Sequence, residues 1–476
     1  MNILLVYPYY PYATVSTFEE PAGILYIAAA LLKAGHNVDV ADLTFNREMK
    51  GLAEKVLWAD VAGISSPTPL FGTADTVLRF IKKIKPSIFS IVGGPHATAN
   101  PLDALKAGFD VAVIGEGEAT VVELARAIEG KIHFGPVGGL AYLEDGVLRF
   151  TGPRPFIENL DDIAFPARQF IDYTRYRRLG VISMRGCPYR CLYCKPVEDK
   201  LFGKRLRRRS IENVLAELDE VIDRYDNRQI SFKDDTLTVN KTEWFERLHD
   251  HFSRRNIRLR WQCSSRVDTV DIGKLKAMKA AGCRQIFLGI ESGSQRILDY
   301  YRKDIRVERI RETFALCHSV GIRPCASIML GAPMETREDL EKTYRLVMNI
   351  KPFNWHVHVT TPICGSYLYQ QAVEEGRIPE KIDYAASAPT GNIYRLHLPM
   401  KLDNLGAQDI SEYRDLINGY MKFRVLWRSF FDVRLWKEFF SSPGLRTIVF
   451  SFIRRHFNPF GGRPWRRDRA KAGSNE

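Results

Sequence analysis

The stretch on which the reading of this chain turns is Cys187-Pro188-Tyr189-Arg190-Cys191-Leu192-Tyr193-Cys194, placed directly after the short apolar run Val181-Ile182-Ser183-Met184. Three of the eight cysteines fall within it. A tight thiol cluster in a chain without a secretion signal reads as a metal site before it reads as a disulfide framework. Three thiolates suit iron, and they would leave one iron of a four-iron cube without a protein ligand and open to chemistry. A zinc knuckle is the alternative, and it needs a fourth Cys or His close by. After Cys194 the next His is His249 and the next Cys is Cys263.

The spacing, three residues and then two, with the aromatic Tyr193 before the last cysteine, resembles the CxxxCxxC signature of the radical S-adenosylmethionine (SAM) enzymes. The resemblance implies that Cys187, Cys191 and Cys194 hold a 4Fe-4S cluster whose open iron is chelated by the amino and carboxylate groups of SAM. It also implies an external electron donor, such as a flavodoxin or ferredoxin. An electron from the reduced cluster would then cleave SAM to methionine and a 5'-deoxyadenosyl radical.

Composition agrees with a large cytoplasmic enzyme. A chain of 476 residues can hold two or three domains with well-buried cores. Its 45% hydrophobic and 26% charged residues are ordinary for a soluble protein. The opening Met1-Asn2-Ile3-Leu4-Leu5-Val6-Tyr7-Pro8 lacks a basic segment, and its apolar run is too short for a signal peptide. No uninterrupted apolar stretch reaches the roughly 20 residues needed to span a bilayer. The formal net charge of +13 favours acidic partners.

The first part of the chain alternates short buried strands, over 2–6, 38–41, 61–65, 89–94 and 111–115, with helices over 23–33, 73–84 and 101–107. This pattern predicts a doubly wound α/β domain over 1–135, of Rossmann type, with ligands at the carboxyl ends of its strands. Gly93-Gly94-Pro95-His96-Ala97-Thr98 and Val113-Ile114-Gly115-Glu116-Gly117-Glu118 resemble the cobalamin-binding domain that precedes the radical domain in one large class of radical SAM enzymes. That resemblance implies cobalamin contacts from Tyr9, Ser65, Thr68, Gly93, Gly94, Pro95, His96, Gly115 and Glu116. The alternative is a cofactor-free domain with tight turns. The chain departs from better known cobalamin domains in lacking Asp-x-His-x-x-Gly. The cofactor's lower face is therefore expected to be covered by Tyr9, Tyr10, Tyr12 or a loop residue rather than by a histidine of that motif.

Residues 136–180 read as a hairpin, over 140–143 and 147–150, followed by a Pro-bearing linker. From 181 to 375 six further strand and helix units predict a partial (β/α)6 barrel, with its chemistry at the C-terminal strand ends. Several segments there resemble the radical family. Asp234 and Asp235, after the second strand, would lie near the amino group of SAM. Capping of a helix is the other reading. Ser264 and Arg266 end the third strand, where Arg266 can pair with a carboxylate of SAM or substrate, or with Asp268. Glu291 and Ser292 end the fourth and would meet the ribose and methionine ends of SAM, unless Glu291 only ties down a loop. Gly331, after the fifth, would allow close approach of the adenosyl moiety. The segment 361–369 resembles the end of the barrel but departs at Cys364, whose loop position makes thiol chemistry a candidate. His356 and His358 alternate with apolar neighbours and share one side of the last strand. Facing inward they would be substrate contacts or proton carriers, and otherwise core histidines. Cys263, Cys283, Cys317 and Cys325 show no ligand spacing and read as small core residues.

The remainder, 376–476, reads as mainly helical. Leu445, Val449, Phe450, Ile453 and Phe457 recur at helical spacing, and from Arg446 onward eight Lys or Arg stand against two acids. Such a segment suits an anionic membrane surface. It also suits nucleic acid, though no RNA-recognition fold accompanies it, or it is a tail without a partner. The joint resemblance implies a cobalamin-dependent C-methylation of an unactivated carbon. The basic amphipathic end points to a small, apolar or lipid-like substrate at the inner face of the cell membrane. Radical cyclisation, carbon-carbon coupling or ring contraction is the first alternative, and modification of RNA or protein the second.

Overall fold

The computed structural model describes residues 1–10, 20–378 and 398–430. Met1–Ile417 form one compact unit, and of the second, Asn418–Glu476, only the end of the helix Ala407–Phe430 lies among the described residues. The amphipathic stretch over 445–457 and the candidate Tyr12 fall outside them.

In the first sheet β1 (Asn2–Tyr7), β2 (Asn37–Asp42), β3 (Val61–Ser65), β4 (Phe89–Gly93) and β5 (Val111–Val113) pair in parallel, in the order β2-β1-β3-β4-β5. Helices α1 (Ala22–Lys33), α2 (Leu52–Trp58), α3 (Phe71–Ile84), α4 (Pro95–Ala99), α5 (Pro101–Lys106) and α6 (Glu118–Glu129) make the connections. The expected strands are all present; α2, α4 and α6 go beyond the sequence reading. Strand residues alternate between faces. Leu4, Val6, Ala62, Ile64, Val92 and Ala112 pack with Val56, Val77, Ile81 and Leu105 in one dry core. Ile3, Leu5, Val61, Gly63 and Ile91 face the other way, toward Ile24, Ile27 and Leu31 of α1 and Val121, Ala125 and Ile128 of α6, across a cleft.

The hairpin of β6 (Leu140–Glu144) and β7 (Val147–Phe150) corrects the expected boundary at 135. Its first strand pairs antiparallel with β5, so it extends the first sheet to seven strands. An apolar strand such as Leu140-Ala141, both buried, satisfies its backbone best on a sheet edge.

The second sheet runs β8 (Leu179–Val181), then β11 (Gln229–Phe232), β12 (Arg260–Ser265), β13 (Cys283–Glu291), β14 (Arg323–Leu330) and β15 (Asn354–Val359), all parallel and adjacent in chain order. Between β8 and β11 come a short antiparallel ribbon, β9 (Met184–Arg185) with β10 (Arg207–Arg208), the helix α7 (Val197–Phe202) and α8 (Ile211–Tyr225). Then follow α9 (Thr242–Arg254), α10 (Ile272–Ala280), α11 (Gln295–Tyr300), α12 (Val307–Val320), α13 (Arg337–Ile350) and α14 (Tyr367–Glu374). Val181, Phe232, Trp261, Cys263, Ile286, Leu288, Ala326 and Ile328 turn outward under these helices and are at most 2% exposed. Trp261 is fixed there by an edge-on contact with Phe232 and by its indole N–H, which donates to Ala281 O at 2.8 Å. Cys263, Cys283, Cys317 and Cys325 are all buried.

Charge, not apolar area alone, holds the two sheets together. Arg168, in the linker, is fully buried; it donates to Glu20 before α1 (3.2 Å), to Gly180 O of β8 (2.6 Å) and to Glu217 of α8 (2.7 Å). Among the described residues no helix is long and apolar enough to cross a membrane.

Candidate active site

The cysteine loop leaves β9 through Gly186, at φ +91. A Cβ there would lie 2.5 Å from Arg205 O and 3.1 Å from Gly203 O, so only glycine lets the ribbon turn into the loop. Cys191 is buried, Cys187 half-buried and Cys194 exposed. Among the described residues no group of three or more His, Cys, Asp or Glu is gathered as for a single ion. Thiols that each hold a different iron of a cube need not converge in that way.

Cations stand behind the loop. Arg266 donates to Cys191 Sγ at 3.8 Å, is clamped by both oxygens of Asp268 at 2.9 Å and by Lys303 O at 2.7 Å, and stacks 3.8 Å over Tyr189. The pairing with Asp268 and a place beside Cys191 thus occur together. The Lys195 ammonium donates to Cys187 O at 2.8 Å. Lys303 donates to Glu291 (2.8 Å) and to the Tyr193 hydroxyl (3.0 Å), and that hydroxyl donates to Glu291 (3.0 Å).

Several expected cofactor contacts find their partners inside the fold. Glu291 is 5% exposed at φ +55, just past a register shift between β13 and β14, and is tied to Lys303 and Tyr193. Asp234 accepts from the backbone N–H groups of Ser183 (2.8 Å) and Met184 (2.7 Å) and from the Ser183 hydroxyl (3.0 Å), so it shapes the entry to the cysteine loop instead of awaiting an ammonium. Burial pushes its carboxyl up to about 7 against these bonds. Ser292 is turned from the strand ends toward α13, its hydroxyl 3.1 Å from that of Thr343. A Cβ on Gly331 would face Leu402 and Ile410 at 3.5 and 3.6 Å, so the helix Ala407–Phe430 and the turn before it pack on that side of the glycine. Asp235 is exposed.

Cys364 is also a correction. It is buried, with its thiol pushed up by burial and by Asp103 of the first domain, and the next residue, Gly365, packs on Ala99 and Val197. It lies at the seam between the domains, beside Asp103.

His356 and His358 do face inward, their rings 6.1 Å apart and nearly parallel, with Phe287 5.6 Å from His356. Burial lowers both imidazoles below their ordinary range, which keeps them neutral. Ser264 is exposed on the same inner side, level with Phe287. Lys233, directly before Asp234 and Asp235, is a residue the sequence did not single out: burial brings its ammonium down to about 7. Two carboxylates directly following a strand-end lysine were the only signal available.

The cleft beneath α1 and α6 joins these parts. Its cavity volume is about 260 Å³, and it runs from one face of the first sheet, past Ser65, Gly93, Gly94, Pro95, Gly115 and Glu116, to Gly186, Lys233, Asp234 and Asp235. Gly94, at φ +96, brings the backbone within reach of Ser66, where a Cβ would lie 3.2 Å from its carbonyl. A Cβ on Gly63 or Gly117 would meet Leu5 or Ile27 at 2.9 Å and close the slot. Such a cradle, glycine-lined at its turns and apolar at depth, fits a large flat cofactor with an inserted tail. Tyr9, Thr68 and His96 do not line it. Tyr9 packs on the dry core, Thr68 is buried, and His96 stacks on Phe71 at 3.8 Å with its ring nitrogen 3.1 Å from Asp103. Glu116 lies on the wall, but its carboxylate is engaged by Arg185 (2.8 Å) and Arg207 (2.9 and 3.0 Å) of the ribbon leading to the cysteine loop.

Comparison with known proteins agrees with this division. Residues 181–347 match the radical SAM superfamily and residues 12–125 the B12 binding domain. The chain is 30% identical over 457 residues to an uncharacterised methyltransferase of Pyrococcus horikoshii, covering 91% of this chain and 95% of the relative. It is 29% identical to the anaerobic magnesium-protoporphyrin IX monomethyl ester cyclase of Cereibacter sphaeroides, over 76% of this chain and 62% of that one. In fold it is similar to the radical SAM methyltransferase TsrM of Kitasatospora setae, solved with cobalamin and a 4Fe-4S cluster, with a TM-score of 0.69, 18% identity, and coverage of 87% and 80%.

Proposed function

Because the chain belongs to the family of cobalamin-dependent radical SAM methyltransferases, we propose that it methylates an unactivated carbon of a small molecule held inside the second sheet. Its cofactors are a 4Fe-4S cluster, SAM and cobalamin. When bound, they supply the radical and the methyl group. The observation that carries the proposal is the single cleft whose wall includes both the glycine turns of the first domain and Gly186 at the root of the cysteine loop.

The chain's own residues then have definite tasks. Cys187, Cys191 and Cys194 hold the cluster, and Arg266 and Lys303 place buried positive charge behind it. Gly93, Gly94, Gly115 and Gly117 let the backbone approach a corrin from the first domain. Glu116 and Arg185 tie that approach to the cysteine loop. An acidic external flavodoxin or ferredoxin suits the basic chain as electron donor.

Protein reconstituted anaerobically is expected to bind about four irons, to cleave SAM when reduced, and to retain stoichiometric hydroxocobalamin through gel filtration without a histidine signature in its EPR spectrum. Cys191→Ala should lose iron and cleavage together. Failure to retain corrinoid would remove methyl transfer. A second reading, radical cyclisation, is favoured by the similarity to the protoporphyrin ester cyclase and would then take first place. Product mass separates the two: one added methylene for methylation, two lost hydrogens for oxidative ring closure.

A further inference from the structure

Every strand of the second sheet is entered through a cation. Arg178 stands directly before β8 and Arg228 before β11, Arg260 and Arg323 open β12 and β14, Arg284 is the second residue of β13, and Lys351 lies just before β15. Because the strands are parallel, these entries share one end of the sheet. The registers start each strand within two residues of its neighbour. With strands about 4.8 Å apart, the entries form a continuous cationic rim.

The rim has no counterion of its own. The entering segments 177–178, 226–228, 256–260, 281–284, 321–323 and 351–353 carry eight Lys or Arg and one acid, Asp226. All eight are exposed except Arg178, which is half-buried. Among the described residues none of the eight is paired with a carboxylate. Arg323 lies 4.4 Å over the Phe353 ring instead, and burial and the neighbouring Arg177 together lower the basicity of Arg178. Cations on the surrounding helices are paired: Arg255 with Asp219 and Asp223, Lys342 with Glu338, Arg345 with Glu341. Like charges gathered without an acid repel one another, and an anion from outside relieves that repulsion.

The position and make-up of the rim select among anionic partners. It stands at the opposite end of the sheet from the cysteine loop, with β14 alone spanning 8 residues, about 23 Å. An electron donor, which has to approach the cluster, does not use it. Single-stranded nucleic acid stacks its bases on aromatic side chains, and a duplex takes a helix or ribbon into a groove. The rim offers neither, since it is made of loop ends on which no large apolar side chain is exposed. A bilayer asks only for cations. Its headgroup phosphates meet a whole rim at once, and the planar guanidinium grips a phosphate through two donors. The basic amphipathic sequence over 445–457 calls for the same partner independently.

We infer that the N-terminal rim of the second sheet is a docking face for an anionic phospholipid surface. Docked in this way, the C-terminal strand ends and the cysteine loop face the solvent, open to a soluble electron donor.

The test is flotation of the reconstituted full-length protein with vesicles of phosphatidylcholine, with or without phosphatidylglycerol. Arg228→Gln/Arg260→Gln/Arg284→Gln removes three rim charges, and Lys33→Gln/Lys83→Gln/Arg126→Gln removes three exposed charges from the first domain. At about fivefold per charge near the surface, the rim variant should bind phosphatidylglycerol vesicles roughly a hundredfold more weakly than native protein. The first-domain variant should bind less than about tenfold more weakly, and SAM cleavage should be unchanged in both. Arg258→Gln/Lys351→Gln, a second rim variant, should lose about 25-fold. Equal weakening by rim and first-domain variants would leave net charge as the whole attraction and overturn the docking face. So would rim variants that float like native protein, or equal binding to neutral vesicles. Tighter binding to duplex RNA than to vesicles at equal phosphate concentration, lost in the rim variants, would assign the rim to nucleic acid instead.

Discussion

At the scale of single residues, Arg266 and Lys233 make the sharpest claims. The Arg266 guanidinium donates to Cys191 Sγ at 3.8 Å and is fixed on its other sides. A cation on a cluster ligand favours the reduced, more negative cluster and so raises its reduction potential. Removing a charge-assisted bond worth about 1.5 kcal/mol, as in Arg266→Gln, should lower the potential by ~60 mV for one electron. EPR-monitored titration reads this directly, and an unchanged or higher potential would leave Arg266 only its loop contacts. Lys233 bears on stability. Its folded value, about 7, lies below that of the unfolded chain, so between them the unfolded state binds the extra proton. Stability therefore gains from this lysine as pH rises above 7, and the gain is lost as pH falls through it. The urea midpoint should be higher at pH 9 than at pH 7 in native protein, and the difference should be smaller in Lys233→Met.

At the scale of elements, the joints between domains are built from charged side chains that cannot be removed singly. Arg168 bridges Glu20 and Glu217, all three at 0% side-chain exposure. Taking away one member of a buried pair leaves uncompensated charge, at about 3–5 kcal/mol. Arg168→Ala should lower the thermal midpoint and open the seam to limited proteolysis within the linker over 151–178. If the midpoint stays, the two sheets are held by apolar contact alone. The ribbon β9–β10 plays the comparable part at the cysteine loop, where Arg185 and Arg207 both reach Glu116. Glu116, expected to touch the cofactor, pairs with the two arginines of the ribbon that flanks the cysteine loop.

At the scale of the whole molecule, the charge of +13 is unevenly spread, with eight Lys or Arg against two acids after residue 445. Near an anionic bilayer each contributes on the order of 1 kcal/mol. Deleting residues 443–476 should reduce flotation with anionic liposomes and leave SAM cleavage intact, and high salt should act on the full chain in the same sense. Equal flotation of both proteins would remove the membrane surface as a partner of this stretch. Membrane association of this kind would concern where the enzyme works.

Local spacing was enough to read much of this protein. Cys187, Cys191 and Cys194, the proposed ligands of one cluster, stand in one loop, so the signal for that chemistry lies in eight consecutive residues. The alternation of buried strands and amphipathic helices is likewise local, and every expected strand of both sheets is present. Tertiary structure decided whatever depends on partners far apart in the chain. Glu116 meets Arg185 and Arg207, Glu291 meets Lys303, Asp234 meets Ser183, and Cys364 lies against the first domain. A buried charge is settled by whichever opposite charge or donor the fold brings within about 3 Å, and spacing along the chain does not record that distance. The inner face of the second sheet is the clearest case: period-two alternation was visible in each strand, but only the register of the paired strands shows that Ser231, Gln262, Gln285, Ser327, His356 and His358 turn to one side.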